Sequence, residues 1–268
     1  MSGAKIGVYD SGFGGLSVWR ELRRLLPSES LIYLGDGKNC PYGGRSREEI
    51  TRFAEEAVER LVAEGVKMVV VGCNTATTAA IEHLRARWTS LPIVGLEPAV
   101  KPACLTTQTR RIAVLATEHS LRSDMFLRTA NRYASDVEVV KVVGRDFVEI
   151  VEANEEHTER GMRAVRSVVE PLVRQRVDKI VLGCTHYPFL RPLIEEVVAG
   201  YGIEVIDSGE AVARRVKWLL ERYDIAAKEG AVPEFSFITF ADEEYRRRLE
   251  LKALAIEEEL QRESVHQI

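Results

Sequence analysis

Apolar residues fall in short runs that alternate with amphipathic stretches along most of the chain. Ile6-Gly7-Val8-Tyr9 suits a strand buried on both faces. Leu16, Trp19, Leu22 and Leu26 then recur at helical spacing. Leu31-Ile32-Tyr33-Leu34 and Met68-Val69-Val70-Val71 read as second and third strands. Between them, Ser46-Arg47-Glu48-Glu49 has the form of a capping box. The helix it opens carries Ile50, Phe53, Ala57, Val58 and Leu61 on one face, with Gly65 as its stop. Further strands are expected at 93–96, 112–115, 137–143, 180–182 and 203–206. A strand at 235–240 and a charged helix from Asp242 to about Leu260 complete the pattern. Trp19, Trp88 and Trp218 lie on helical apolar faces and are expected in the core. Strand–helix alternation of this kind predicts an α/β protein with mostly parallel sheets.

A weak internal repeat sharpens the picture. Val69-Val70-Val71-Gly72-Cys73 precedes Asn74-Thr75, and Ile180-Val181-Leu182-Gly183-Cys184 precedes Thr185-His186. Ile6 to Ser11 resembles Ile112 to Thr117, and Ile93 to Glu97 resembles Ile203 to Asp207. All three pairs lie about 110 residues apart and in the same order. The expectation is two pseudo-symmetric α/β lobes with an active site in the cleft between them. The first lobe would be residues 1–96, completed by 208–268, and the second 97–207.

Composition narrows the function. The 268 residues are 46% hydrophobic, enough for a sizeable core in one or two domains. Lys plus Arg number 37 and Asp plus Glu 41, a net charge of −4, which excludes a nucleic-acid grip built on bulk basic charge. No apolar run approaches the roughly 18 residues of a membrane span, and no apolar signal region precedes Ile6. Four cysteines do not make a disulfide-rich secreted domain. A cytoplasmic protein with free thiols is expected.

The two Gly-Cys motifs carry the chemistry. Each cysteine follows a buried-type strand and precedes residues suited to a helix start. Ligands bind at the carboxyl ends of parallel strands, and helix N-terminal amides favour a thiolate there. Thiols at equivalent points of two lobes suit inversion of a stereocentre, one removing a proton while the other returns one, with roles exchanged in reverse. A redox disulfide or a metal site are the alternatives, but neither cysteine belongs to a C-x-x-C motif and no His/Cys cluster has zinc-finger spacing. The turn Asp10-Ser11-Gly12-Phe13-Gly14-Gly15 offers backbone donors to a carboxylate, and Asp10 could meet an ammonium group or orient a thiol. Pro41-Tyr42-Gly43-Gly44 is a turn by composition. His186, two residues after Cys184, is a candidate proton-transfer partner. Cys40 and Cys104 have no twin and are expected to be structural.

Four motifs resemble the bacterial glutamate racemases, within the aspartate/glutamate racemase superfamily. They are Tyr9-Asp10-Ser11-Gly12-Phe13-Gly14-Gly15-Leu16-Ser17, Cys40-Pro41-Tyr42-Gly43-Gly44-Arg45-Ser46, Gly72-Cys73-Asn74-Thr75-Ala76 and Leu182-Gly183-Cys184-Thr185-His186-Tyr187-Pro188. Glu97-Pro98-Ala99 and Asp207-Ser208-Gly209 also fit. The resemblance implies cofactor-free, metal-free interconversion of L- and D-glutamate, supplying D-glutamate for peptidoglycan and so for cell-wall biogenesis and cell shape. It implies that Cys73 and Cys184 are the two bases, with Asp10 assisting the first, and His186 and Glu152 the second. Asp10, Ser11, Tyr42, Gly43, Asn74, Thr75, Thr185 and His186 would contact substrate. It also implies a homodimer, with glutamate as small-molecule partner and neither nucleic acid nor membrane. The sequence departs from the family at Gly37-Lys38-Asn39-Cys40, Thr117-Glu118-His119-Ser120 and Gly144-Arg145-Asp146. An aspartate racemase, a single-base decarboxylase of the superfamily and a non-enzymatic two-lobed amino-acid binder are the rival readings. The presence of both motif cysteines argues against one-cysteine relatives.

Overall fold

The computed structural model describes residues 4–265. In chain order, the first half runs β1 (Ile6–Asp10), α1 (Leu16–Leu25), β2 (Leu31–Gly35), α2 (Arg47–Ala63), β3 (Met68–Val71), α3 (Asn74–Arg87), β4 (Ile93–Gly95) and α4 (Val100–Thr106). It continues through β5 (Arg111–Ala116), α5 (Glu118–Arg122), α6 (Asp124–Tyr133), β6 (Glu138–Val143), α7 (Phe147–Glu152), α8 (Glu159–Val173) and β7 (Lys179–Leu182). A 3-10 turn (Tyr187–Leu190), α9 (Arg191–Val197), β8 (Glu204–Ile206), α10 (Gly209–Arg222), β9 (Phe235–Thr239) and α11 (Glu243–Val265) follow. Contacts divide the chain into two compact units. One holds the residues up to 42, 46–96 and those from 209 on; the other holds 43–45 and 97–208.

The first unit is built on a sheet in the order β4-β3-β1-β2-β9, parallel throughout. Strands β1, β2 and β3 are buried along their whole length, as continuous apolar runs require when helices cover both faces. The capping box is formed: the Ser46 hydroxyl accepts from the Glu49 amide, and the Glu49 carboxylate accepts from the Ser46 amide. Gly65, just past the end of α2, has φ +73°, the left-handed stop its type favours. Trp19 of α1 is fully buried against Tyr33, Phe235 and Phe237, and its indole N–H donates to Glu257 of α11 at 3.1 Å. The other two tryptophans depart from expectation. Trp88 is only half-buried at the end of α3. Trp218 is 42% exposed, sandwiched by the guanidinium groups of Arg215 and Arg222. Flanking arginines cover an indole as a core would, and spacing alone does not separate the two.

The second unit has a sheet in the order β6-β5-β7-β8, again all parallel. Its two faces form separate cores. Ala113, Leu115, Ile180 and Leu182 face Phe147, Ile150, Val165 and Leu190. Ile112, Val114 and Val181 face Val100, Ala103 and Phe126. If β5, β6, β7 and β8 are matched to β1, β2, β3 and β4, the two sheets have one strand order. The register agrees as well: Ile6 pairs with Met68 as Ile112 pairs with Lys179, and Tyr9 with Val71 as Leu115 with Leu182. The internal repeat is therefore a repeat of sheet topology, with β9 as the added strand of the first unit. Among the described residues no helix is long and apolar enough to cross a membrane.

Each unit also carries a polar clamp. In the first, the buried Lys67 ammonium lies 2.7 Å from Glu29 and donates to the Ile225 carbonyl, while Glu29 accepts from the Ala227 amide. This pins the segment after α10, which leads to β9, to the residues just before β2 and β3. Removing one partner of a buried pair strands the other charge. Lys67→Met is therefore expected to lower the unfolding free energy by about 3–5 kcal/mol, read as a lower urea midpoint. A midpoint equal to the parent's would mean that the pair holds nothing.

In the second unit, Asp178 accepts from the Thr107 hydroxyl and from the amides of Gln108 and Thr109. Burial pushes its carboxyl up, but these bonds outweigh burial and hold its pKa below the ordinary 3.8. A depressed carboxyl stabilises the fold above its unfolded value, and the contribution is lost as pH falls through the folded one. Asp178→Asn is thus expected to be less stable than the parent near pH 7, with the gap closing toward about pH 3. Thermal unfolding across that range would show a constant gap if the account is wrong.

Candidate functional site

In each unit a glycine ends the strand beside the sheet's first strand. The Gly72 amide donates to the Tyr9 carbonyl at 2.6 Å, and the Gly183 amide to the Leu115 carbonyl at 2.7 Å. A Cβ at Gly72 would stand 3.2 Å from that same oxygen, and one at Gly183 would stand 3.1 Å away. The backbone of a buried neighbouring strand cannot yield, so each position needs glycine. The next residue, Cys73 or Cys184, leaves the carboxyl edge of its sheet at the equivalent point. Neither cysteine is in a disulfide, and both are buried, at 4% and 6% exposure.

The first thiol sits on a helix. Cys73 is the N-cap of α3, its Sγ accepting from the Ala76 amide at 3.4 Å and donating to the Ser11 hydroxyl at 3.6 Å. Helix N-terminal amides favour the thiolate. Asp10, wholly buried at the end of β1, accepts from the Gly12 amide at 2.8 Å, while Tyr33 donates to the Gly12 carbonyl at 2.7 Å. The glycine-rich turn is thus held from both sides. Asn74 and Thr75 open α3 and are buried, and the Asn74 Nδ2 has no hydrogen-bond partner. A buried amide left without a partner costs roughly 1–3 kcal/mol, which a ligand carboxylate would relieve.

Behind this thiol lies a buried chain of hydroxyls. Tyr9 and Tyr42 share a hydrogen bond of 2.8 Å, and Tyr42 donates to the Asp36 carboxylate at 2.6 Å. The Asn39 amide caps the same carboxylate at 2.9 Å. Burial first, then Cys73, push the Tyr9 hydroxyl well above its ordinary pKa of 10, with Asp36 and Asp10 adding and the Tyr42 bond opposing. Burial, then Tyr9 and Asp36, push Tyr42 up likewise. Both phenols are therefore neutral. The Tyr42 hydroxyl is turned inward, so any ligand contact from this residue belongs to its backbone or ring.

The second thiol is built differently. Cys184 is followed by the 3-10 turn, not by the α-helix start expected, because Pro188 and Pro192 interrupt the run before α9 settles. Its partner is a side chain: Sγ lies 3.8 Å from His186 Nδ1, and His186 Nε2 lies 2.6 Å from Glu152 Oε1. A carboxylate only accepts, so Nε2 carries the hydrogen and Nδ1 of the neutral ring is left to take the thiol proton. Glu152 reaches His186 from the last position of α7. Thr185 is buried between the two site residues, and a Cβ at Gly43 would meet Thr117 at 3.4 Å. Tyr187 is buried at the same turn and donates to the Gly144 carbonyl at 3.3 Å. Burial, then Cys184, push it well above 10.

In the first unit the structure gathers Asp10, Ser11, Cys73, Asn74 and Thr75 at the carboxyl ends of β1 and β3, with Tyr42 joined through Tyr9. In the second it gathers Cys184, Thr185, His186 and Glu152. Sequence reasoning missed Asp36, Tyr9 and Tyr187. The available signal for Asp36 was its place directly after β2, matching that of Asp10 at the end of β1. Cys104 is buried, with burial and then Asp136 raising its thiol.

The Asp/Glu/Hydantoin racemase family matches residues 8–216. The chain is 45% identical over 242 residues to a glutamate racemase of Herpetosiphon aurantiacus, covering 90% of this chain and 94% of that one. Among solved structures, a glutamate racemase of Bacillus anthracis aligns with a TM-score of 0.82 and 31% identity, over 95% of each chain. One from Escherichia coli, solved with L-glutamate and an activator, aligns with a TM-score of 0.82 and 31% identity over 94% of this chain and 95% of that one. A match over most of the chain's length, joined to this identity and fold, places the protein in the Asp/Glu/hydantoin racemase family.

Proposed function

We propose that this protein is a glutamate racemase, interconverting L- and D-glutamate without a cofactor, with Cys73 and Cys184 as the two proton-transfer groups. The observation that carries the reading is the pair of Gly-Cys motifs at equivalent register in two repeated sheets, each thiol with its own proton partner. The names of the relatives and the L-glutamate bound to the Escherichia coli neighbour support the choice of substrate.

The glutamate α-proton is weakly acidic, because the adjacent carboxylate already carries charge. One thiolate removes it while the opposite thiol supplies a proton to the other face of the same carbon. Cys73 would draw its thiolate character from the N-terminal amides of α3. Cys184 would pass its proton to His186, whose ring Glu152 holds in the accepting tautomer. Charge developing on the substrate would meet the unpartnered Asn74 amide, together with Ser11, Thr75 and Thr185. Asp10 would steady the glycine turn and face the ammonium group. The reading also places the protein in the cytoplasm as a homodimer that supplies D-glutamate to peptidoglycan, and sedimentation of the purified chain tests the dimer.

Circular dichroism should show each glutamate enantiomer relaxing to the racemate, with deuterium from solvent entering the α-carbon. Binding without loss of optical rotation, or preferential turnover of aspartate, would overturn the assignment. Cys73→Ala and Cys184→Ala should each abolish racemisation while far-ultraviolet dichroism stays unchanged, and Cys→Ser should leave a trace, because a hydroxyl is a far poorer base. Full activity in either alanine variant contradicts the two-base mechanism.

Glu152→Gln should lower kcat by about 10²-fold, the scale of one positioned proton-transfer group, and change KM less. The loss should exceed any change in thermal stability, since Glu152 is partly exposed. Equal falls in kcat and stability would make it a structural residue only.

A further inference from the structure

Helix α11 is the longest of the described helices, 23 residues and about 34 Å. One side of it is committed to its own unit. Leu249, Ala253 and Ile256 are buried, and the Tyr245 ring stacks on Phe13 with centroids 4.7 Å apart. Glu257 accepts from Trp19 and Arg23 of α1. These contacts fix the rotation of the helix about its axis, and they leave a row with alternating spacings of three and four turned outward. The row runs Glu244, Arg247, Leu251, Leu254, Glu258, Gln261, and every member is exposed. The two leucines at its middle are 57% and 49% exposed. Leucines scattered singly on a surface need no explanation, but these two are neighbours on one face, with a basic residue beyond one and an acidic residue beyond the other. Arg247 has no ion-pair partner among the described residues. Glu258 meets Arg262 of the same helix at 3.4 Å, an exposed contact that contributes little.

We propose that this row is the contact between two copies of the chain, paired through antiparallel α11 helices. The homodimer itself comes from the racemase reading, on which the proposal rests, and the helix supplies its surface. Turned end for end, the row complements itself. With Leu251 opposite Leu254 of the second copy, Arg247 falls opposite Glu258 and Glu244 opposite Gln261. A two-fold axis repeats every one of these pairings, as a patch that binds its own copy requires. A parallel arrangement would set Arg247 against Arg247 and Glu258 against Glu258, so charge selects the antiparallel one. The alternating spacing is that of helices packed side by side along their length. Four leucines, two from each copy, form the apolar centre, and the charge pairs close its ends. One helix face buries less than the roughly 800 Å² per partner of a standard stable interface. The dimer is therefore of the weak, reversible kind, and its fraction rises with concentration.

The test is sedimentation velocity of the full chain from about 1 to 300 μM, with far-ultraviolet dichroism and thermal unfolding to confirm that each variant folds as the parent does. The parent's weight-average sedimentation coefficient should climb from the monomer toward the dimer value. Leu254→Lys should hold it at the monomer value across the range. Arg247→Glu sets glutamate against Glu258, and Glu258→Arg sets arginine against Arg247. Each should weaken association by about tenfold or more, since an attractive pair becomes a repulsive one twice per dimer. Mixing these two single variants restores opposite charges at both ends, so the mixture should associate as the parent does while neither variant does so alone. A dimer undiminished in Leu254→Lys, or a mixture no more associated than its components, overturns the proposal and leaves the homodimer to another surface. A parent that stays monomeric throughout overturns the contact and the homodimer together. None of these readings depends on turnover, so the optical assay on glutamate decides the racemase reading separately.

Discussion

At the end of each central strand, a carbonyl oxygen receives the amide of a glycine in the next strand, Gly72 onto Tyr9 and Gly183 onto Leu115. That contact sets where the chain leaves the sheet. It brings the backbones so close that a Cβ would crowd the carbonyl, and it aims the following residue out of the carboxyl edge. Apolar burial on both faces of β1 and β3, and of β5 and β7, keeps the strands in register for it. Everything chemical in the protein is attached to these two exits. Strand β1 and the turn after it bring Asp10 and Ser11 to one, and α7 brings Glu152 to the other.

From the same exit the two units diverge. In the first, α3 begins at once, so the thiol takes over the role of an N-cap oxygen and is surrounded by amides and hydroxyls. In the second, Pro188 and Pro192 delay the helix, and a histidine–carboxylate pair replaces the helix terminus. One thiol is served by fixed dipoles and the other by a titrating ring. The proposed two-base reaction asks for comparable base strength from the two thiols, not for identical surroundings. The repeat supplies matched positions, and the departures from it supply two different surroundings for a buried thiol.

The sheets were legible in the sequence because buried parallel strands are continuous apolar runs and the glycine-cysteine pairs follow two of them. The capping box at Ser46 and the strand and helix after Pro233 were legible for similarly local reasons. What escaped was set by distant partners. Trp218 has the spacing of a core residue, yet arginines on its own helix shield it. Asp36 lies in a loop whose glycine, Gly37, leaves room for the Tyr245 ring of α11, more than two hundred residues on. Gly144 likewise makes room for the Tyr187 ring. Neither tyrosine could be paired with its glycine from spacing. Glu152 was named by resemblance, and its contact with His186 depends on how α7 packs against the second sheet.

Burial gives these contacts their weight. Asp10, Asp36 and the two thiols are all withdrawn from water, where an unmade hydrogen bond costs more and a misplaced donor acts more strongly. Stabilising a thiolate too well would make it abundant and inert; leaving it bare would keep it protonated. The N-terminal amides of α3 pull Cys73 toward the first extreme. The Ser11 hydroxyl, which accepts from the Cys73 thiol, pulls the other way by favouring the protonated form. Asp36, Tyr42 and Tyr9 satisfy their polar groups largely among themselves, and the fold holds them there at the cost of desolvating a carboxylate.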